Sequence, residues 1–449
     1  MRSKAPQGAY IAAHVAAYLV FAAFIATIPA SAQSLQKPLQ DHNCTGKPDI
    51  PNDQQIVGCS EAITSGSFSG KELAAAYGNR GGAYANKSDL GHALPDFDQA
   101  IALDPGSALA FSRRGTAYLV KKDNDRAIAD FDRAIALDPA DAFTLNNRGL
   151  AWNAKGDPDR AVADFNAALR LDPKYAVAAN NRGMAYQGKG DLDRAIADYG
   201  LAADLDPNYA IARRNRGTAY QLRGDTDRAI ADYDQAIKLD PKYVRAWESR
   251  GSLYGNKGDQ DRAIADYDQA IKLDSNYALA YTNRGNAYTR KGNLDQAMAD
   301  LDQAIKLEPA SAQAWFDRGV VHLSREDYDR AIADCDQAIR LQPGFALAWN
   351  NRGFAYLKKS DFDHAIADFN EAIHINPEFS VAFNNRGSSF AHKKDYARAI
   401  ADYSEALRFD PNYAEALFRR GIVKRLNGDK PGGDADVAAA KKINPDLTE

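Results

Sequence analysis

Asparagines recur at a fixed spacing along this chain, and their pattern fits a binding chemistry. Seven of them are separated by the interval from Asn147 to Asn181 or by a multiple of it: Asn79, Asn147, Asn181, Asn215, Asn283, Asn351 and Asn385. Four of these seven are preceded directly by another asparagine. The preceding residues are Asn146, Asn180, Asn350 and Asn384. A carboxamide offers an acceptor and two donors, so it can hydrogen-bond the N–H and the C=O of a peptide group together. A groove lined with these amides would hold an extended polypeptide by its main chain.

The asparagine pattern has a second explanation. Duplication of one ancestral segment copies its asparagines whether or not they are used. Asparagine is also a poor helix former, and this favours a functional reason for keeping it inside a helix. The sequence alone leaves both explanations open, and we carry the peptide-binding one forward as the hypothesis.

An arginine and an aspartate share the same period and occur in every copy. Three consecutive copies hold the pairs Arg148 and Asp164, Arg182 and Asp198, and Arg216 and Asp232. Opposite charges repeated in this way predict a ladder of partly buried ion pairs. We interpret the ladder as structural, because a residue that reads a ligand should vary with the side chains of that ligand.

Patterns that would support enzymatic chemistry are absent from the sequence. It contains no phosphate-binding glycine-rich loop, no zinc-type spacing of cysteine and histidine, and no nucleophile elbow. The histidines are scattered over unrelated positions of the period, and the acidic residues fall at helix caps and on helix surfaces. We therefore predict no catalytic residues, no metal and no cofactor; an enzyme with an unrecognised site is the remote alternative.

The period defines eleven repeats without insertion, from 74–107 to 414–447. A glycine marks position 8 of each repeat, from Gly81 to Gly421. Positions 4, 8 and 11 share one face of a first helix, and positions 20, 24 and 27 share one face of a second. Aspartate at position 16, replaced once by Asn293, predicts the N-cap of the second helix. Proline at position 32 predicts its end.

These columns resemble the tetratricopeptide repeat, a 34-residue helix–turn–helix. The resemblance covers the whole stretch 74–447 and implies an all-α fold, a right-handed α-solenoid or superhelix of eleven such units with the first helices on its concave face. Arginine at position 7 departs from the family pattern, which more often has an apolar residue there. The asparagine column resembles that of the superhelix in O-linked N-acetylglucosamine transferase, where it grips extended polypeptide. Only the repeat region is comparable, so the resemblance does not extend to catalytic activity.

The two ends of the repeat array differ from its middle. Residues 33–73 form an N-terminal extension in which 53–63 align with the second-helix pattern and predict a capping half-repeat. We predict a disulfide between Cys44 and Cys59, with two unpaired thiols as the alternative. Cys335 falls at a core position and is interpreted as a small hydrophobic residue. The last repeat, 414–447, is degenerate and predicts a C-terminal cap.

The stretch 1–32 has the pattern of a signal peptide. A positive start is followed by an apolar run, and Ala30-Ser31-Ala32 predicts cleavage before Gln33. The alternative is an uncleaved membrane anchor, because the apolar run approaches the length of a membrane span. After cleavage we expect no integral membrane span and an exported protein, located in the periplasm or secreted. The net charge of −4 excludes a polybasic nucleic-acid-binding chain.

The function that the sequence predicts is a non-catalytic protein–protein interaction scaffold. It would bind extended polypeptide segments in the concave groove through the asparagine ladder. The alternative is a structural or self-assembling scaffold of the cell envelope that uses the edges and convex face of the solenoid, and oligomerisation is left open by either function.

Overall fold

The computed structural model describes residue 39, residues 43–45 and residues 49–448. All regular secondary structure in these stretches is helical, and the chain divides into an N-terminal unit ending at Pro241 and a C-terminal unit beginning at Lys242. The N-terminal unit holds α1 Asn52–Thr64, α2 Gly70–Asn86, α3 Leu90–Leu103, α4 Ala108–Val120, α5 Asn124–Leu137, α6 Ala142–Ala154, α7 Pro158–Leu171, α8 Ala176–Gly188, α9 Leu192–Leu205, α10 Ala210–Arg223 and α11 Thr226–Leu239.

The C-terminal unit continues the alternation of first and second helices. It holds α12 Val244–Asn256, α13 Gln260–Leu273, α14 Ala278–Lys291, α15 Leu294–Leu307, α16 Ala312–Ser324, α17 Tyr328–Leu341, α18 Ala346–Lys358, α19 Phe362–Ile375, α20 Ser380–His392, α21 Tyr396–Phe409, α22 Ala414–Leu426 and α23 Lys430–Ile443. Within each unit every helix packs against the next one along the chain. The all-α solenoid architecture is thus confirmed, while the right-handed sense of a superhelix stays a prediction.

The core of each repeat is a contact between the glycine at position 8 and the side chain at position 24. In the third repeat Phe165 is fully buried between Ala161 and Ala168 on its own helix. A Cβ atom added to Gly149 would lie 2.7 Å from Cε1 of Phe165, closer than carbon atoms approach without a shift. The glycine is therefore required by the close approach of the two helices, and the small alanines extend that close packing.

The turn between the two helices of each repeat needs a left-handed backbone. Position 15 has positive φ in all eleven repeats, between 59° and 94°. Glycine occupies it in six repeats and other residues in five: Ser88, Lys122, Glu326, Ser360 and Lys394. Only glycine adopts this conformation without a steric cost. The column is not recognisable from composition alone, because nearly half of its members are not glycine.

The aspartates at position 16 cap the second helices as predicted. The Asp123 carboxylate accepts a hydrogen bond from the backbone N–H of Arg126 at 3.2 Å, and the other nine aspartates of this column make the same type of bond. Asn293 is the exception, since its side chain makes no cap hydrogen bond. The prediction of a cap at Asn293 was therefore wrong. Its helix, α15, begins with its first N–H groups uncapped by a side chain.

The repeated arginines and aspartates form the predicted ion-pair ladder. Arg148 donates from Nε to Oδ2 of Asp164 at 2.8 Å and from Nη2 to Oδ1 at 2.6 Å. The pairs Arg182–Asp198 and Arg216–Asp232 have the same two-pronged geometry. Arg148 also donates from Nη1 to Asp132 of the preceding repeat at 2.7 Å. Each arginine therefore ties its own two helices together, and this third bond adds a link between repeats that the sequence did not predict.

One link of this ladder lacks its acceptor. Position 25 of the preceding repeat supplies Asp132 to Arg148 and Asn166 to Arg182, but Gly200 to Arg216. A Cβ atom at Gly200 would lie 3.5 Å from Nη1 of Arg216, an ordinary contact distance. Space for an acceptor is therefore present, and glycine in a helix interior is itself unfavourable.

We expect Gly200→Asp to raise the free energy of unfolding by about 1 kcal/mol, from a new ion pair with Arg216 and from better helix propensity. Gly200→Asn has a similar shape and propensity without the charge, so it should give a smaller gain. Denaturant titration followed by circular dichroism measures both variants. A Gly200→Asp protein no more stable than the natural chain would show that the acceptor column adds nothing to stability.

The N-terminal cap completes the array in the manner of a preceding repeat. A disulfide joins Cys44 and Cys59 with an S–S distance of 2.10 Å, as predicted, and both cysteines are fully buried. Ser60 of α1 accepts a hydrogen bond from Nη1 of Arg80 at 3.1 Å, which is the role of position 25 in a complete repeat. Helix α1 therefore supplies one contact that a second helix supplies in a complete repeat, while its role as a capping half-repeat stays a prediction.

The predicted signal peptide, 1–32, lies outside the described residues. Among the residues that are described, no helix combines the length and the apolar character needed to cross a bilayer.

Candidate polypeptide-binding surface

The periodic asparagines lie on the first helices of the repeats, at the side where consecutive first helices meet. Position 6 of one repeat faces position 5 of the repeat before it. In the N-terminal unit Asn181 donates from Nδ2 to Oδ1 of Asn146 at 2.9 Å, and Asn215 donates to Asn180 at the same distance. These amides therefore hydrogen-bond each other across the boundary between repeats.

The C-terminal unit repeats the arrangement with one change of acceptor. Asn385 donates to Oδ1 of Asn350 at 3.1 Å, and Asn283 donates to a carboxylate oxygen of Glu248 at 3.0 Å. The two amides of a doubled pair are also joined, as where Asn350 donates to Oδ1 of Asn351 at 3.2 Å. The amide columns thus form hydrogen-bonded seams within each unit.

Most of the amides are covered by this packing. Eight of the eleven are buried: Asn79, Asn146, Asn147, Asn180, Asn181, Asn215, Asn350 and Asn384. The other three, Asn283, Asn351 and Asn385, are partly exposed. The expectation that all eleven amides line an open groove wall is therefore corrected. The physical reason is that consecutive first helices approach closely enough for their amides to satisfy one another, which a sequence without coordinates does not reveal.

One amide binds a main-chain carbonyl. Asn79 stands in the first repeat, where no complete repeat precedes it, and its Nδ2 donates to the backbone oxygen of Cys44 at 3.1 Å. The disulfide to Cys59 holds residue 44 in this place. A carboxamide of this column is therefore able to hold a peptide group when no neighbouring side chain takes its hydrogen bond.

Side chains beside the seams are partly exposed and vary in character. Position 9 holds Leu150, Met184 and Thr218 in the N-terminal unit and Val320 and Phe354 in the C-terminal unit, all of them partly exposed. At position 2 of the C-terminal unit, Leu279, Leu347 and Val381 are exposed by 45, 44 and 38%. The surface next to the seams is therefore amphipathic, with exposed apolar side chains near the start of three first helices.

The eighth repeat carries two buried titratable residues that the sequence analysis did not single out. Asp317 occupies position 6 and is 6% exposed, and burial raises its pKa to about 7. His322 occupies position 11, and its Nε2 lies 3.7 Å from Oδ2 of Asp334. Burial lowers the pKa of His322. The signal for Asp317 was present in the sequence, since an acid stands there in a column dominated by asparagine.

Within residues 39, 43–45 and 49–448 no cluster of three or more histidine, cysteine, aspartate or glutamate side chains is arranged to hold a metal. Burial raises the pKa of the Cys335 thiol to about 12, so this cysteine is a core residue rather than a nucleophile.

Comparison with known families is consistent with this geometry. A model described as a tetratricopeptide repeat matches residues 79–142, 112–176, 146–210, 180–231 and 282–346. A second tetratricopeptide model matches 346–379 and 380–413, and a third matches 222–258 and 256–292. Together the matches run from residue 79 to residue 413. No curated protein matches the chain significantly.

Several solved structures align with this chain. The Cut9–Hcn1 hetero-tetramer of the APC/C aligns over 95% of this chain and 96% of the other, with TM-score 0.51 and 14% identity. A tetratricopeptide repeat protein from Parabacteroides merdae aligns over 56% and 98%, with TM-score 0.46 and 21% identity. YrrB, described as a tetratricopeptide protein with an unusual peptide-binding site, aligns over 41% and 95%, with TM-score 0.34 and 23% identity.

The family matches cover most of the chain, and the helix pairs, turns and caps reproduce the family pattern from repeat to repeat. Tetratricopeptide repeat proteins bind polypeptide partners, so the array has the architecture of a protein–protein interaction scaffold. The chain is a member of the tetratricopeptide repeat family.

Proposed function

We propose that this protein is a non-catalytic scaffold that binds extended polypeptide segments along the surface formed by its first helices. The observation that carries the proposal is the hydrogen bond from Asn79 to the Cys44 carbonyl, because it is a bond between a column amide and a main-chain peptide group. A bound segment would offer the same group to the amides that remain accessible.

The accessible part of the ladder lies in the C-terminal unit. Asn283, Asn351 and Asn385 are partly exposed, and each amide nitrogen carries two N–H groups of which a neighbour can take one. The second N–H of Asn385 would meet a carbonyl of the bound segment.

The buried amides have a different part in this proposal. Asn181 and Asn215 spend hydrogen bonds on the neighbouring repeat, so they fix the spacing of the first helices. The variable side chains at positions 2 and 9 then supply apolar contacts whose identity changes along the surface. Main-chain hydrogen bonds give affinity and these side chains give selectivity, as in other modes of extended-peptide recognition.

The test compares two double variants. Asn351→Ala with Asn385→Ala should weaken binding of an extended chain by at least about fivefold, because each of the two lost hydrogen bonds costs about 0.5–1.5 kcal/mol. Reduced, carboxymethylated α-lactalbumin, which is permanently unfolded, serves as the probe, and native α-lactalbumin is the control for extended conformation. Fluorescence anisotropy of the labelled probe reports the dissociation constant.

The matched control is Asn181→Ala with Asn215→Ala. These amides are buried, whereas Asn351 and Asn385 are partly exposed, so their loss should lower the thermal midpoint, with a smaller effect on affinity while the protein remains folded. Unchanged affinity of the Asn351→Ala, Asn385→Ala protein would reject the amide contacts. Failure of the natural chain to bind the unfolded probe would reject the scaffold itself.

A self-assembling scaffold is the second candidate. Leu426 and Ile443, in the last repeat, are exposed by 61 and 45%, and Val57 of α1 is exposed by 57%. Exposed apolar residues of this size on terminal helices favour contacts between copies. Light scattering separates the two functions: a concentration-dependent oligomer abolished by Leu426→Glu, in a protein without affinity for the unfolded probe, would favour assembly.

We also propose that the protein is exported, to the periplasm or beyond the cell. The signal-peptide pattern of residues 1–32 supports this, and so does the buried Cys44–Cys59 disulfide, because such bonds persist in oxidising compartments. Mass spectrometry of the envelope fraction should find an N-terminus at Gln33; an intact N-terminus would indicate the anchor instead.

A further inference from the structure

The eighth repeat interrupts the amide seam of the C-terminal unit. Helix α16 places Phe316 at position 5 and Asp317 at position 6, where the ninth and tenth repeats have asparagine at both positions. Oδ1 of Asp317 accepts a hydrogen bond from Nε2 of Gln313 at 2.9 Å. Oδ2 is buried and has no hydrogen-bond partner among the described residues. The seam therefore contains a carboxylate with an unused acceptor.

No neighbouring group neutralises this carboxylate. On the preceding first helix, α14, Thr282 donates its hydroxyl to the backbone oxygen of Ala278. Arg290 of α14 is the charged residue of the described chain whose field acts on Asp317, but it forms no salt bridge with it and directs Nη1 to the backbone oxygen of Gly255 at 3.2 Å. Asn351 of α18, on the other side, carries no charge. Asp317 thus differs from the aspartates of the ion-pair ladder, such as Asp164, each of which is paired with an arginine.

A buried carboxylate without a counter-charge is costly and takes up either a proton or a cation. The proton alternative is visible in the raised pKa of Asp317, about 7. The cation alternative requires a group that reaches the carboxylate from the surface. Gln313 is exposed, lies one helical turn before Asp317 and donates to its Oδ1, so this side chain connects the carboxylate to the surface. Ammonium and guanidinium groups form the strongest hydrogen bonds to such an oxygen.

We infer that Asp317 is the binding point for a lysine or arginine side chain of a bound polypeptide, with Gln313 at its entrance. The inference rests on the proposed function, since the polypeptide held along the first helices brings the cation. An apolar side chain would leave Oδ2 unpaired, a neutral donor would form a weaker hydrogen bond than a cation, and an acidic side chain would be repelled. Asp317 therefore adds a charge preference to a surface whose other hydrogen bonds are indifferent to sequence.

Disulfide tethering tests the site without any polypeptide. In the full chain with Gln313→Cys, the new thiol is exposed, while Cys335 and the Cys44–Cys59 disulfide are buried. The protein is equilibrated with cystamine and with bis(2-hydroxyethyl) disulfide, whose captured groups are of similar length and differ in charge. Mass spectrometry should show about fivefold preference for the cationic group at pH 8, the ratio expected from one partly buried ion pair.

Two variants show where such a preference comes from. Combining Asp317→Asn with Gln313→Cys should remove the preference for the cationic group, while the side chain at position 317 keeps its shape. Leu347→Cys places a thiol at the same position of the ninth repeat, above Asn351, and should capture both groups equally. The preference of the Gln313→Cys protein should also decline from pH 8 to pH 6, as Asp317 takes up a proton. Equal capture at pH 8 with Asp317 present, or a preference that survives Asp317→Asn, would overturn the inference.

A second arm connects the site to polypeptide binding. Acetylating the lysines of the unfolded α-lactalbumin probe should weaken its binding to the natural chain about fivefold and leave binding to the Asp317→Asn protein unchanged. Equal weakening in both proteins would place the cation contact elsewhere and reject the assignment. If the unmodified probe binds and tethering shows no preference, only the cation site fails; if the probe does not bind at all, the proposed function fails with it.

Discussion

Replacing Asp164 by asparagine is expected to lower the free energy of unfolding of the third repeat by about 2–4 kcal/mol. Asp164 is nearly buried and accepts two hydrogen bonds from Arg148. Asparagine keeps the size of the side chain but removes its charge, so the guanidinium loses its partner on the second helix. Removing one partner of a buried pair costs more than the pair contributes, because Arg148 loses its buried counter-charge and keeps only the exposed Asp132.

Asp132 provides the matched control on the same arginine. It accepts a hydrogen bond from Nη1 of Arg148 at 2.7 Å, but its side chain is 54% exposed. Asp132→Asn should therefore cost no more than about 1 kcal/mol, as exposed ion pairs do. Amide hydrogen exchange in α6 and α7 measures both effects locally, which matters because distant repeats of an array unfold semi-independently. Equal losses in the two variants would show that burial does not decide the strength of this ladder.

Replacing Asp317 by asparagine is expected to stabilise the protein at pH 8, by about 2–4 kcal/mol. Burial raises the pKa of this carboxyl from 3.8 to about 7, so ionising it in the folded state is unfavourable. Asparagine has the same shape, retains an oxygen for the hydrogen bond from Gln313, and carries no charge to bury. Most single substitutions destabilise a protein, so a gain of this size would be specific to the uncompensated charge.

The pH dependence of that gain has a definite sign. Because the folded-state pKa of Asp317 is raised, its folded form binds a proton more tightly than its unfolded form, and its unfavourable contribution is absent below pH 3.8. The contribution grows as pH rises from 3.8 to about 7 and is constant above that. His322 has the opposite pH dependence. Burial lowers its pKa, so protonating it at acid pH destabilises the folded protein. Both proteins contain His322, so the difference between them isolates Asp317.

Denaturant titrations of the two proteins at pH 5, 6, 7 and 8 measure the difference directly. It should increase with pH and level off above about pH 7. Asp302→Asn is the control, because Asp302 is 55% exposed and paired with Arg318 in the same part of the array. That variant should lose a little stability, because it removes an exposed ion pair. A constant difference for Asp317→Asn would show that the carboxyl titrates at its ordinary pKa.

The helical elements were predictable because the sequence repeats them eleven times. The glycine at position 8 and the alanines at positions 20 and 27 mark close helix contacts, and the aspartates at position 16 mark helix starts. The disulfide was also predictable, since Cys59 aligns with a core column and Cys44 is its nearest cysteine. The missing cap hydrogen bond at Asn293 and the left-handed backbone at position 15 were not predictable. A single side-chain rotamer and a backbone angle depend on local geometry that composition does not report.

The binding surface was predictable only in part. The position of the asparagines on first helices follows from their place in the repeat, but their accessibility does not. Asn181 and Asn385 belong to the same column, yet one is buried against Asn146 and the other is partly exposed. Both side chains donate to the preceding repeat, at 2.9 and 3.1 Å, so this shared hydrogen bond does not determine the difference in exposure.

The family, the succession of helix pairs and the pairs of opposite charge can all be read from the amino-acid order, because a short period forces each residue type into one environment many times over. Folding of the array sets which amides face one another, which arginine reaches the preceding repeat, and that Asp317 stands without a counter-charge. These properties depend on contacts between residues about 35 positions apart in neighbouring repeats, and the approach of two helix surfaces is a property of the packed array rather than of any one repeat.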